Sequence, residues 1–461
     1  MKDLTFDIVV VGAGSAGLVV AIGGAKAGKK VLLIEKGEYG GDCTNFGCIP
    51  SKSLIASSHV AHLIKRSESY GIKIHSREMD PSGIFERLHT IVNHVKSHED
   101  PAALEKLGVA TENGSASFID KKTLLVNGKK ISGKHIVLAT GSCPIIPPIP
   151  GLEKAPFLTN ETIFSLKHIP QSMVFIGGGP ICCELAQAFN RLGTKVTIVT
   201  NAPNLLIREE PEAQEILKNT FAAEGITVHF NKTAEKISYT DHFTVTLSGE
   251  KPEVLESEAL FVGTGRRPNL DTLQLEKGGV RFSEKGVEVD RHGRTNIKNI
   301  WAVGDITGPP FFTHNAEHQA RTVLKNLLLP FSFKTHPSLM PRCTYTDPEV
   351  ASIGLKEEEC SPKKIAVYSI PFCEVDRCIT CGRTEGLLKI VTKKWSSKIL
   401  GATVVGPRAG EMLMEIATAM YAGLPLRKLT GLIHPYPIEN GAIRKAADLY
   451  LTQTLLGAFR K

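Results

Sequence analysis

Short, fully apolar runs alternate along this chain with stretches whose apolar positions recur at helical spacing. Ile8-Val-Val-Val11 follows Asp7, and Val31-Leu-Leu-Ile34 follows Lys30. Residues 135–142, 173–176, 195–200, 260–265 and 300–305 have the same form, and several end in glycine. Runs of this length without alternation are what strands buried on both faces look like, and parallel sheets are built of them. Between the first two runs lies an Ala/Gly-rich helix. Residues 53–67 are amphipathic, and 82–107 place apolar side chains three and four apart, so both predict helices. Residues 115–137 predict strands, with Asn127-Gly128 as a two-residue hairpin turn. From Pro341 the texture becomes strand and helix without a glycine-rich turn, which predicts a separate domain running to the end.

Two of the apolar runs lead into glycine turns. The first is Gly12-x-Gly14-x-x-Gly17, followed by the helix and by the run that ends at Glu35, 21 positions past Gly14. This is a dinucleotide-binding fingerprint in its strand–turn–helix–strand context. Gly12 makes the turn, Gly14 lets a pyrophosphate approach the backbone, Gly17 packs helix on strand, and Glu35 reaches ribose hydroxyls. The second is Gly177-Gly-Gly179, an internal duplication with Cys182 where Gly17 stands and Thr200 where Glu35 stands. Without a carboxylate at Thr200 nothing repels a 2′-phosphate, which favours NADPH over NADH, although no arginine follows before Arg208. Leu260 to Asn269, with Gly265, closes this unit. Pro-rich 143–151 forms a semi-rigid crossing and the first domain boundary.

Five residues after Glu35 begins Gly40-Gly41-Asp42-Cys43, and Cys48-Ile-Pro50-Ser-Lys52 completes the loop. Proline is favoured at a helix start, so 49–52 predicts one with Cys48 at its positive end. The helix dipole and the Lys52 ammonium then favour a thiolate at Cys48. Cys43 and Cys48 make a candidate redox-active disulfide; two buried thiols or half a zinc site are the alternatives, and no second ligand pair stands nearby. Cys182 and Cys183 are adjacent on a helix and point about 100° apart, so they predict packing. Cys378-x-x-Cys381 falls in what the pattern predicts as a hairpin between Phe372 and Ile390 and predicts incidental thiols. Asp305, at a strand's end before a helix starting near His314, is placed to accept hydrogen bonds from a ligand or to cap that helix.

At 461 residues the chain is too long for one core. The 42% apolar and 22% charged composition is that of a soluble globular protein. A net charge of +8 without a long basic block argues against nucleic acid. Met1 to Phe6 lacks a cleavable apolar segment and the next run is too short to span a bilayer, so no membrane is expected. Ten cysteines without a regular framework predict a reducing, cytoplasmic setting, and no structural metal is expected.

The two glycine turns, the first carrying a Cys-x4-Cys-x3-Lys loop, resemble the flavin-dependent pyridine nucleotide–disulfide oxidoreductases, over essentially the whole chain. Gly40 to Lys52, Ala139-Thr140-Gly141, Gly265-Arg-Arg-Pro268-Asn269 and Trp301-Ala-Val-Gly304-Asp305 carry the likeness. It implies an α/β fold: two Rossmann-like domains and a C-terminal α+β dimerisation domain. It implies FAD on 1–148 and 271–335, NAD(P)H on 149–270, and a homodimer formed through 336–461. It implies that Cys48 lies nearest the flavin and that Cys43 is the interchange thiol. Lys52 would pair with Glu184 beside the ring, Gly41, Thr140 and Gly141 would line the FAD site, and Asp305 would hold the ribityl or pyrophosphate region.

The C-terminal loop selects the branch. Disulfide-reducing members carry a His–Glu acid–base dyad there. Here the loop is Ile433-His434-Pro-Tyr436-Pro-Ile-Glu439-Asn-Gly441. By spacing, His434 and Glu439 are the dyad of a dihydrolipoamide dehydrogenase or glutathione reductase type of enzyme. By the flanking 441–447 run, Tyr436 takes the histidine's place and Gly441 the glutamate's, as in mercuric-reductase-like members; this register matches more residues. Two departures from the mercuric reductases are expected beside it: no N-terminal metal-binding domain ahead of the fold, and no cysteine pair in 457–461. The expected acceptor is a small disulfide or a soft metal ion. A non-catalytic flavoprotein binding metal or a partner through its cysteines is the alternative of another class.

Overall fold

The computed structural model describes residues 4–76, 78–250, 253–336 and 339–459. Met1–Asp3, Arg460 and Lys461, on which readings of the two ends partly fall, lie outside the described residues. The chain packs as two compact units. One takes the chain through Pro148, Pro156–Ile169 and Phe261–Thr335; the other takes Ile149–Ala155, Pro170–Leu260 and the chain from His336 on.

The first unit is built on a seven-stranded sheet. Strands Val109–Asn113, Val31–Glu35, Leu4–Val11 and Lys129–Leu138 lie side by side and parallel, and Ile300–Ala302 joins the last of them, also parallel. Alternation along Ile8–Val11 sends Val9 and Val11 into one core and Ile8 and Val10 into another. Both faces of the sheet are therefore covered, which is why the runs carry no polar alternation. Asn127 (φ 50°) and Gly128 (φ 76°) make the expected hairpin turn, with left-handed backbone at both residues, before Lys129–Leu138.

The second unit repeats the parallel theme: Lys195–Val199 pairs in parallel with Thr227–His229 on one side and with Ser172–Ile176 on the other. It then adds an antiparallel five-stranded sheet spanning Arg342–Gly406. Helices Ala409–Tyr421 and Gly441–Leu449 bury Leu413, Ile416, Ile443 and Ala446 in the same core as that sheet.

Two expectations change. The helical stretch 82–107 is two helices, Pro81–Lys96 and Pro101–Lys106, because Pro101 starts a new one and the Asp100 carboxylate accepts the Ala103 N–H at 2.7 Å. The segment holding Cys378 and Cys381 does join two antiparallel strands, but as a helical turn, Asp376–Thr380, closed by Gly382 at φ 58°. Among the described residues no helix is long and apolar enough to cross a membrane.

Candidate functional site

The first glycine turn is tight because backbone meets backbone. Gly12 has φ 106°, and its N–H bonds the Ile34 carbonyl at 2.8 Å. A Cβ on Gly17 would stand 1.8 Å from the Gly12 oxygen, which fixes how closely helix Ser15–Lys26 approaches its strand. No side chain caps that helix, and its N-cap, Gly14, is extended. Glu35 accepts the Ala13 N–H at 2.7 Å through one carboxylate oxygen and the Gly37 N–H at 2.8 Å through the other. Gly40 donates to the Ala13 carbonyl at 2.9 Å, and a Cβ on Gly41 (φ 63°) would lie 2.6 Å from the Gly14 Cα. The cysteine loop is therefore seated on the glycine turn.

Cys48 is the first residue of helix Cys48–Arg66, and Pro50 is its third. The helix thus begins slightly earlier than the proline alone predicts, which brings Cys48 inside its first turn together with half-buried Lys52. Cys43 and Cys48 are both half-buried. The Cys43 thiol is pushed well up, first by its hydrogen bond with the Cys48 sulfur, then by burial and by negative charge on Cys48. The Thr313 hydroxyl lies 3.4 Å from the Cys48 sulfur, contributed by the first residue of helix Thr313–Leu328.

Around the loop runs a polar chain. Asn160 donates to one Asp42 oxygen at 2.9 Å, and Arg266 pairs with the other at 3.2 Å. The Arg266 guanidinium also donates to the Ser142 hydroxyl at 2.8 Å and the Ser142 carbonyl at 3.0 Å. Ser142 in turn donates to Asp305 at 2.6 Å. Burial raises the Asp305 carboxyl, while the Ser142 bond and Arg266 pull it down. Asn269 clamps the neighbouring turn: it donates to the Thr140 carbonyl at 3.0 Å, and its own carbonyl accepts the Thr140 hydroxyl at 2.8 Å. Gly141 has φ 72°, with open space where a Cβ would stand. The uncapped helix end, the glycine-lined turn, the Glu35 carboxylate and the open edge at Gly141 fit a bound dinucleotide.

In the second unit Gly177 (φ 126°) repeats Gly12, its N–H bonding the Val199 carbonyl at 2.8 Å. Gly179 opens helix Pro180–Arg191 with nothing near its missing Cβ. Buried Thr200 stands against Gly178, whose Cβ would meet its hydroxyl at 2.9 Å. Cys182 and Cys183 are fully buried; burial pushes the Cys182 thiol up to about 12 and holds that of Cys183 well above its ordinary value. The buried Glu184 carboxylate accepts the Tyr345 N–H at 2.8 Å. Gly265, which belongs to the first unit, is at φ 133°.

The C-terminal loop does not bring His434 and Glu439 together. His434 Nε2 lies 3.0 Å from Glu415, whose other oxygen accepts the Asn440 amide at 2.7 Å. Glu439 receives one Arg408 nitrogen at 3.0 Å on both oxygens. Each group of the expected dyad thus has a different partner. Tyr436 instead is 81% exposed, its hydroxyl donating to Asp376 at 3.0 Å. Of the residues sequence reasoning missed, Arg266 lay inside a quoted motif; Thr313, Ser142, Asn160, Glu415 and Asp376 carried no local signal.

Residues 6–320 match the family model "Pyridine nucleotide-disulphide oxidoreductase", and 340–447 match its dimerisation domain. The chain is similar to a mercuric reductase of Lysinibacillus sphaericus, 32% identical over 97% of this chain and 83% of that one. It is 34% identical to a dihydrolipoyl dehydrogenase of Geobacillus stearothermophilus, over 96% of each. Among solved structures it resembles the Cu(II) complex of the HOCl-induced flavoprotein disulfide reductase RclA from Escherichia coli, at 28% identity and TM-score 0.87, covering 97% of this chain and 100% of that one.

Proposed function

The chain belongs to the pyridine nucleotide-disulphide oxidoreductases and is an FAD-dependent enzyme with NAD(P)H as donor, and from that premise we propose that its acceptor is a soft metal ion, Hg(II) or Cu(II), reduced at Cys43 and Cys48. One observation carries the choice of acceptor: His434 and Glu439 are engaged by Glu415 and Arg408, leaving Tyr436 as the exposed polar side chain of the loop. A disulfide acceptor needs a group that both gives and regains a proton near neutral pH as its thiolate leaves, and a tyrosine hydroxyl, which titrates at about 10, is poorly matched to that; a metal ion needs no such group. Its relatives include a mercuric reductase, and the RclA structure it resembles is a Cu(II) complex.

Gly12, Gly14, Gly17, Glu35, Gly41, Thr140, Gly141 and Asp305 would hold FAD, which when bound supplies the two-electron carrier between nicotinamide and sulfur. NADPH, in preference to NADH, would lie on Gly177, Gly179 and Thr200 of the second unit. Residues 1–148 and 271–335 are assigned to FAD, 149–270 to NAD(P)H and 336–461 to the dimer interface. The chain's own part is sulfur chemistry. Two electrons open the Cys43–Cys48 disulfide, Cys48 keeps the charge beside the Lys52 ammonium, and Cys43 keeps the proton until the acceptor displaces it. Hg(II) then takes both electrons, or two Cu(II) ions take one each, and the disulfide re-forms. The protein works as a cytoplasmic homodimer.

The test is NADPH oxidation by the purified yellow protein with Hg(II) and excess thiol, Cu(II), lipoamide or oxidised glutathione. Turnover is expected with a metal ion, lost in Cys43→Ser and kept in His434→Ala. Turnover confined to a disulfide and abolished by His434→Ala would overturn the reading.

A further inference from the structure

Cys378 and Cys381 lie outside everything assigned above. Cys378 sits in helix Asp376–Thr380 with its side chain in the C-terminal core, 1% exposed. Cys381 is that helix's C-cap and is half-buried, so the pair opens to the surface through it. The turn is locked. The Gly382 N–H bonds the Ile379 carbonyl at 3.0 Å and the Arg383 N–H bonds the Cys378 carbonyl at 2.9 Å. These are the two closing bonds of a Schellman end with Gly382 in the left-handed position.

Residues three apart on such a turn hold their Cβ atoms about 5–6 Å apart. That is wider than the roughly 3.5–4.5 Å of a relaxed disulfide. It suits one ion between two sulfurs, since two metal–thiolate bonds of about 2.3 Å span roughly 4.6 Å in line. The arginines around the turn are paired with carboxylates. Arg383 pairs with Asp347, and Arg377 and Arg408 both reach Glu439. Burial raises the Cys378 thiol to about 11, partly offset by Arg383 and Arg377. A soft ion displaces thiol protons outright and so does not need a thiolate to be present beforehand. The site is also beside the C-terminal loop: Tyr436 bonds Asp376 on the same turn, and the Lys445 ammonium bonds the Glu374 carbonyl just before it. Among the described residues no group of three or more His, Cys, Asp or Glu could hold a metal, so a site here is two-coordinate.

We propose that Cys378 and Cys381 bind one soft, thiophilic metal ion, such as Cu(I), Ag(I) or Hg(II), by two thiolates, releasing two protons on binding. The site is separate from Cys43 and Cys48 and stands whichever acceptor the enzyme reduces, because its test reads binding and not turnover. A Cys43→Ser/Cys48→Ser protein is loaded with Hg(II) in excess glutathione, desalted, and assayed for bound mercury and near-ultraviolet mercury–thiolate absorption. It should retain one equivalent. Adding Cys381→Ser should weaken retention by at least the roughly 10- to 100-fold that loss of a mere supporting group costs a metal site. Cys378→Ala should do the same, whereas Cys373→Ser, at an exposed neighbour, should not. Equal retention by Cys381→Ser, loss on Cys373→Ser, or a Cys378–Cys381 disulfide in the isolated protein that excludes mercury would each overturn the proposal.

Discussion

In the first unit the Gly12 N–H reaches the Ile34 carbonyl at 2.8 Å; in the second the Gly177 N–H reaches the Val199 carbonyl at 2.8 Å. The turns begin alike and part three residues past the middle glycine. At Gly17 any side chain would strike the Gly12 carbonyl. At the matching place in the second turn Cys182 keeps a whole side chain, fully buried, its thiol 3.7 Å from the Ile176 carbonyl. The third glycine is thus a demand of helix–strand distance, and only the first unit makes it. The strand ends differ too. Glu35 spends its charge on the Ala13 and Gly37 N–H groups, whereas Thr200 offers a neutral hydroxyl to the Ala202 N–H at 3.2 Å. One turn is built around a carboxylate, the other around its absence.

The sharpest way to break this comparison is Gly17→Ala. Its added methyl meets backbone, which cannot swing aside, so helix and strand must separate. A loss of about 3 kcal/mol or more is expected, at the upper end of overpacking costs, with protein recovered free of flavin. Flavin absorbance and the thermal midpoint check it. A stable yellow Gly17→Ala protein would mean that the two turns share one tolerance.

Next in size is Glu35→Ala. It leaves two N–H groups without their charged acceptor, at a cost of about 2 kcal/mol, or roughly 30-fold in FAD affinity if that cost falls on the bound state. FAD dissociation measured by fluorescence checks it. Unchanged affinity would show that Glu35 serves the loop alone.

What could be read ahead of the structure was what lies close in sequence. The glycine turns, the Asn127-Gly128 hairpin and the helix at Cys48 depend on neighbours a few residues away. The rest is long-range. Ser142 finds Asp305 across 163 positions, and Glu184 finds the Tyr345 N–H across 161. The His434–Glu439 spacing predicts a dyad because no local pattern reveals that Glu415, on helix Ala409–Tyr421, takes the histidine. The Cys378 turn read as part of a hairpin because its flanking strands do pair antiparallel, and the helical turn between them is set by Gly382.

Thr200→Glu gives the smallest expected effect and bears most directly on what the second turn is for. It rebuilds there the carboxylate that the first turn has. The Thr200 backbone N–H bonds the His229 carbonyl at 3.0 Å and is untouched by the change. The new carboxylate would lie beside Gly178, placed as Glu35 is beside Ala13, where it would accept ribose hydroxyls and repel a 2′-phosphate. The kcat/KM for NADPH should fall about tenfold relative to NADH, about 1.4 kcal/mol of discrimination. Crowding against Gly178 affects both donors alike, so it lowers the two rates together and leaves their ratio alone; Thr200→Ser, which keeps the hydroxyl, should change neither. A tenfold shift in the ratio would show that donor choice is made at this strand end. An unchanged ratio would place that choice elsewhere in the second unit and leave Thr200 as a packing residue, the counterpart of Glu35 in position only.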